Sequence, residues 1–174
     1  MIQWHPLFVE ILRPWVEDYF DLVTNMPVGD LPREADITLV RRIATGRLPF
    51  HGIWRHLTTW NVLELKGPPV AEHVGDVDLL VELGLGIDRR LNAKRKADGS
   101  RSLPPEQISF WYLANSLRRR FLEGCCGRLG KLESLESGVW RATILGRPMF
   151  FVSRIDLTVD PDSIPLHLGA AEPR

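Results

Sequence analysis

Hydrophobic positions along the chain change their period several times, and each change marks an element. Leu7, Phe8, Ile11, Leu12, Trp15, Tyr19 and Leu22 recur at helical spacing. This predicts a helix over residues 7–23, with Pro14 kinking it or dividing it into two short helices. The turn-bounded segment Met26-Pro27-Val28-Gly29-Asp30 reads as the end of a first strand and a loop. It leads to a second strand, Glu34-Ala35-Asp36-Ile37-Thr38-Leu39-Val40, which carries acids into an otherwise apolar run. The connector over residues 41–57 mixes Gly46, Pro49 and Gly52 with Phe50, Ile53 and Trp54, so it is expected to pack on the domain. A third strand, Asn61-Val62-Leu63-Glu64-Leu65-Lys66, is stopped at once by Gly67-Pro68-Pro69.

Beyond the prolines, Val77, Leu80, Val81, Leu83, Leu85, Ile87 and Leu91 supply one apolar side of a helix over residues 74–96. Its last turns carry Arg89, Arg90, Lys94, Arg95 and Lys96, cations that complement a helix C-terminus. An exposed loop follows at residues 98–102. Ile108-Ser109-Phe110-Trp111-Tyr112-Leu113-Ala114 is rich in strand-favouring aromatics, and residues 116–122 read as a helix after it. Residues 139–145 and 148–153 flank Gly146-Arg147 as a hairpin with a tight turn. The proline-containing tail after Asp160 is expected to be irregular. Neither internal repeats nor low-complexity segments are visible.

Composition narrows this picture. With 174 residues and 44% hydrophobic content, the chain can bury a full core, and one domain over residues 1–174 is expected. No run approaches the roughly 18 to 20 apolar residues needed to span a bilayer. The N-terminus lacks the basic flank and cleavage site of a signal peptide, so a cytoplasmic protein without a membrane partner is expected. Cys125 and Cys126 are adjacent and have no further Cys or His cluster at zinc-finger spacing, so reduced thiols are expected. The 22 basic and 22 acidic residues cancel, so nucleic-acid binding would rest on local patches.

The charged residues then acquire meaning from strand geometry. Successive side chains of a strand point to opposite faces, so Glu64 and Lys66 share one face and Leu65 takes the other. Two strands carrying acids, Asp36 and Glu64, together with one lysine suggest a metal site. The alternative is that Glu64 and Lys66 are the ordinary solvent face of a half-buried strand.

Asp36 followed by Glu64-Leu65-Lys66, in the order helix, three strands, helix, strand, resembles the PD-(D/E)XK nuclease superfamily. It is most like the recombination-promoting nuclease and transposase-associated group, in which a similar Arg-Glu-Ala-Asp strand precedes a similar charged strand. The resemblance covers residues 7–114, and Ala35 stands where a proline often precedes the acid. It implies an α/β fold: a restriction-endonuclease-like mixed sheet flanked by helices, with an αβββαβ core. The segment over residues 115–160 would then be an extension ending in a C-terminal β-hairpin. It also implies Mg2+- or Mn2+-dependent phosphodiester hydrolysis of DNA. Asp36 and Glu64 would be metal ligands, the Leu65 backbone carbonyl would complete the protein's share, and Lys66 would sit at the reacting phosphate.

Such chemistry has its own reasons for these residue types. Mg2+ prefers hard oxygen ligands and keeps several waters, so two carboxylates and a substrate phosphate suffice. The ion acidifies water and offsets charge building on the phosphoryl oxygens. A lysine beside two carboxylates stays charged, which suits electrostatic stabilisation before general-base work. The alternative function is a catalytically inactive nuclease-like module that binds nucleic acid or a protein partner in a mobile-element or defence system. DNA and RNA, endonuclease and exonuclease, and monomer and homodimer all remain open in the sequence.

Other acids and cations are read more modestly. Glu34 shares a strand face with Asp36 but can equally pair with Arg33 or Arg41 at the surface. Glu10 and Glu17, seven residues apart on the first helix, project from nearly the same side; either joins the site or lies on a solvated face. His5 and His73 have no partner at ligand spacing and are read as structural. Arg89-Arg90 with Lys94-Arg95-Lys96, and separately Arg118-Arg119-Arg120, are either phosphate contacts or solubilising helix ends. Trp54, Trp60, Trp111 and Trp140 are read as packing aromatics.

Overall fold

The computed structural model describes residues 4–27, 34–42, 46–67 and 71–168. Among these, a helix α1 (Trp4–Val16) precedes strands β1 (Phe20–Pro27), β2 (Glu34–Arg41) and β3 (Trp60–Lys66). Helix α2 (Val74–Ala97), strand β4 (Ile108–Ala114), helix α3 (Arg119–Leu129) and strands β5 (Glu133–Glu136), β6 (Val139–Ile144) and β7 (Arg147–Ser153) follow. A short helix α4 (Ile164–Leu168) comes last. The strands form one seven-stranded mixed sheet of order β1-β2-β3-β4-β7-β6-β5. Strands β1, β2 and β3 are an antiparallel meander. β3 runs parallel to β4, and β4 parallel to β7, which α2 makes possible as the crossover between β3 and β4. No helix among the described residues is long and apolar enough to cross a membrane.

Both sheet faces are covered. Phe8, Leu12 and Val16 of α1 pack with Leu63, Leu65, Trp111, Leu113, Phe150 and Val152 on one face. Val77, Leu80, Leu83 and Ile87 of α2, with Phe121 of α3, pack with Val62, Phe110, Tyr112 and Phe151 on the other. Burial on both sides explains why β4 reads as a continuous apolar run rather than an alternating one. Trp54, Trp60 and Trp111 are buried as expected, and the connector folds over them through a 3-10 turn at Gly52–His56.

Four expectations need correction. The first helix ends at Val16, and Tyr19 and Leu22 belong to a turn and to β1; an alternating strand had continued the helical period by coincidence. Pro14 lies in the last turn of α1, with Glu17 still donating its backbone N–H to the Arg13 carbonyl. The helix expected at residues 116–122 starts at Arg119 and runs to Leu129, where Gly130 caps it at φ 83°. The tail is not irregular throughout: Asp160 caps a turn at Pro161–Ser163 by accepting from Asp162 and Ser163 N–H groups, and α4 follows.

The fourth correction is the largest. The C-terminal hairpin, β6 and β7 around the Leu145-Gly146 turn, is no extension. β7 inserts beside β4, and Met149, Phe150, Phe151 and Val152 are all buried. Arg147 of β7 reaches back to Asp88 of α2, its Nε lying 3.0 Å from Oδ2, so hairpin and crossover helix are tied together. β5, too polar to stand out in the sequence, adds the edge strand.

Candidate functional site

The charged residues of β3 stand on the α2 face of the sheet, in the column begun by Trp60 and Val62. Asp36 lies on β2, antiparallel to β3, in the alternating set that continues through Thr38 and Val40, the latter packed on that same face. The β2–β3 pairing stops at Ile37–Leu63. Just beyond it the Leu65 N–H donates to Asp36 Oδ2 at 3.0 Å, so a side-chain carboxylate takes over where the ladder ends. The structure therefore brings Asp36, Glu64 and Lys66 together. Leu65 contributes its N–H to Asp36 while its side chain enters the opposite core.

Lys66 Nζ lies 2.8 Å from Glu64 Oε1 and 3.6 Å from Asp76 Oδ1. Their side chains are 17%, 13% and 26% exposed, so the cluster is sheltered yet reachable from solvent. Asp76 Oδ2 in turn accepts from the Tyr112 hydroxyl at 3.2 Å. Sequence reading missed Asp76. Its signal was an acid in the first turn of the helix that follows the charged strand, where the helix dipole favours a carboxylate. His73 caps that turn, its ring nitrogen accepting from the Gly75 N–H at 3.0 Å, which gives this histidine the structural role expected of it.

Proton affinities show an excess of negative charge. Burial, then the neighbouring Asp36 carboxylate, push the Glu64 carboxyl above its ordinary range, with Lys66 only partly opposing them. Burial works against the Lys66 ammonium, but its bond to Glu64 and the charges of Glu64, Asp76 and Asp36 outweigh it and raise its pKa. Burial and Asp76 push the Tyr112 hydroxyl upward too, so it remains a donor. The charges of three carboxylates thus act on one ammonium. Among the described residues, no three His, Cys, Asp or Glu side chains gather at metal-ligand spacing. Asp36 and Glu64 are the two carboxylates here that could serve a hard divalent ion, which takes few protein ligands and keeps several waters.

The other candidates stand elsewhere. Glu10 is exposed on α1, 4.0 Å from Arg13, and the buried side of α1 covers the opposite sheet face. Glu17 is exposed in the turn after that helix. The side chains of His5 and Glu34 lie outside the described residues.

The two basic clusters separate clearly. With a helical rise of about 1.5 Å per residue, Arg95 lies roughly 28 Å along α2 from Asp76. It is occupied there with the Arg101 carbonyl, to which its Nε donates at 2.8 Å. Arg118 and Arg120, at the start of α3, instead line a cavity with His73 and Val74 from the beginning of α2. Arg118 gives its backbone N–H and its Nε to Glu72. Burial acts to raise the Glu72 carboxyl, but these bonds outweigh it and hold the group below its usual range.

Compared with protein-family models, curated proteins and solved structures, the chain matches none of them.

Proposed function

We propose that the chain is a divalent-cation-dependent phosphodiesterase acting on DNA, with a PD-(D/E)XK-type site. The observation that carries this reading is the meeting of Asp36, Glu64 and Lys66 on one face, where the β2–β3 ladder ends and burial, then Asp36, raises the proton affinity of Glu64. The surrounding order, α1 then β1–β3, α2 and β4 with β4 parallel to β3, supports it. Asp36 and Glu64 would hold Mg2+ or Mn2+, whose Lewis acidity activates water and offsets charge on the phosphate. Lys66, kept protonated by three carboxylates, stabilises negative charge gathering on the phosphoryl oxygens. Asp76 holds that ammonium from the first turn of α2, and the Tyr112 hydroxyl, donating to it, orients Asp76.

The second reading, a nuclease-like module that binds nucleic acid or a protein partner without cutting, draws on the 2.8 Å Lys66–Glu64 contact, in which the lysine itself neutralises the carboxylate. Plasmid nicking in Mg2+ or Mn2+ separates the two. Lys66→Ala should lose on the order of 10²–10³ in rate, the usual cost of removing one preorganised charge-stabilising group, and Asp36→Ala should lose both nicking and calorimetric Mn2+ binding. Equal nicking by wild type and both variants would sink the assignment. Absence of Mn2+ binding and of nicking in the wild type would leave the second reading.

A further inference from the structure

The acidic site and the cavity beside it share a wall. His73 and Val74 line the cavity, and Asp76 stands two positions beyond Val74 in the same first turn. From the other side, Phe121 lines the cavity and stacks on Tyr112 with ring centroids 5.3 Å apart. The Tyr112 hydroxyl reaches Asp76. The volume, about 530 Å3, lies within the range of small-ligand sites, about 300–1,000 Å3.

Charge distinguishes what fits there. Three carboxylates and one ammonium make the catalytic face hostile to a polyanion, so a phosphodiester strand must be held by cations close by. Arg118 and Arg120 are the cations on this wall. The basic cluster at the far end of α2 lies a helix length away and does not border the site. Glu72, the acid lining the cavity, is already engaged by the backbone and side chain of Arg118, which leaves Arg120 to set the sign of the opening. Arg119 points elsewhere: its side chain is 94% exposed and pairs with Glu123 at 2.8 Å.

We propose that the cleft between the first turns of α2 and α3 receives the nucleic-acid strand next to the scissile phosphodiester, Arg120 and Arg118 contacting its phosphates. That the neighbouring phosphodiester is cut rests on the hydrolytic reading, but strand binding itself is measurable without hydrolysis. Phosphate contacts of this kind position the strand and carry no sequence information. They accordingly predict binding that is tolerant of sequence and steep in salt.

The experiment uses the full chain and a fluorescein-labelled oligothymidylate, with anisotropy measured in EDTA across a salt series. Arg120→Gln is compared with Arg119→Gln, which makes the same charge change one residue away and outside the cleft. Arg120→Gln should weaken binding several-fold and flatten the slope of log affinity against log salt by about 0.7, the contribution of one phosphate contact on a single strand. Arg119→Gln should stay near wild type. In the nicking assay Arg120→Gln should raise KM and leave kcat in place. Equal binding by the two variants, or no binding by wild type, overturns the cleft, whatever the nicking assay shows. Binding that depends on Arg120 upholds it even where no form nicks plasmid, and the hydrolytic reading alone then falls.

Discussion

Burial and then the neighbouring Asp36 carboxylate make an ionised Glu64 costly to the folded protein. Because burial and Asp36 raise the Glu64 pKa above its ordinary 4.5, the native state binds this proton more tightly than the unfolded chain. The group's contribution to stability therefore falls as pH rises from about 4.5 through the raised value. Asp36→Asn removes the charge and keeps a carbonyl oxygen to accept from Leu65 N–H. In metal-free buffer this variant should unfold at higher urea than wild type at neutral pH, and the gap should close on acidification below the ordinary carboxylate range. A gap that widens toward acid would contradict the repulsion. At this scale the shared face of Glu64 and Lys66 was legible in the sequence because strand alternation is local, whereas Asp36 reaches them through the pairing of β2 with β3. Asp76 was not legible, because its meeting with Lys66 depends on where α2 lands after the turn.

Helix α2 owes its seat to a missing side chain. A Cβ on Gly84 would lie 2.3 Å from Cε1 of Phe110, in the middle of the helix and over the centre of β4. Gly84→Ala gains up to about 1 kcal/mol in helix propensity. Against this, it must displace a fully buried ring, an overpacking that typically costs about 1–3 kcal/mol. We expect a net loss of about 1 kcal/mol, read as a lowered urea midpoint, together with weaker Mn2+ binding or nicking if α2 tilts and carries Asp76 away from Lys66. A variant as stable as wild type would show that Phe110 yields freely. Elements were read from sequence where apolar residues recurred over many turns, as in α2, or formed an unbroken run, as in β3 and β4. They were misjudged at the first helix end, where the strand residue Leu22 kept a helical spacing, and at β5, whose Glu-Ser-Leu-Glu carries no apolar alternation.

Across the whole molecule, the sheet is completed from the C-terminal third of the chain. β4 is buried along its length, and β7 pairs with the edge that a core ending at β4 would leave open. Truncation after Gly130 would strip β7 from β4 and uncover Phe110, Trp111, Tyr112 and Leu113, an exposed apolar edge of the kind that aggregates. That fragment should fail to give a cooperative urea transition and should be digested rapidly by protease, while wild type resists. A fragment with a sharp transition would restore the hairpin to the status of an extension. The chain's own pattern determined the α/β class, the buried strands and the pairing of Glu64 with Lys66 on one face, because those follow from periods of two and of about 3.6 residues acting over short range. Only tertiary structure decided that β7 belongs at the heart of the sheet, that Asp76 joins the lysine, and that Arg118 and Arg120 rather than the end of α2 border the acidic site. Each of these depends on contacts between segments far apart in sequence, whose geometry no local period encodes.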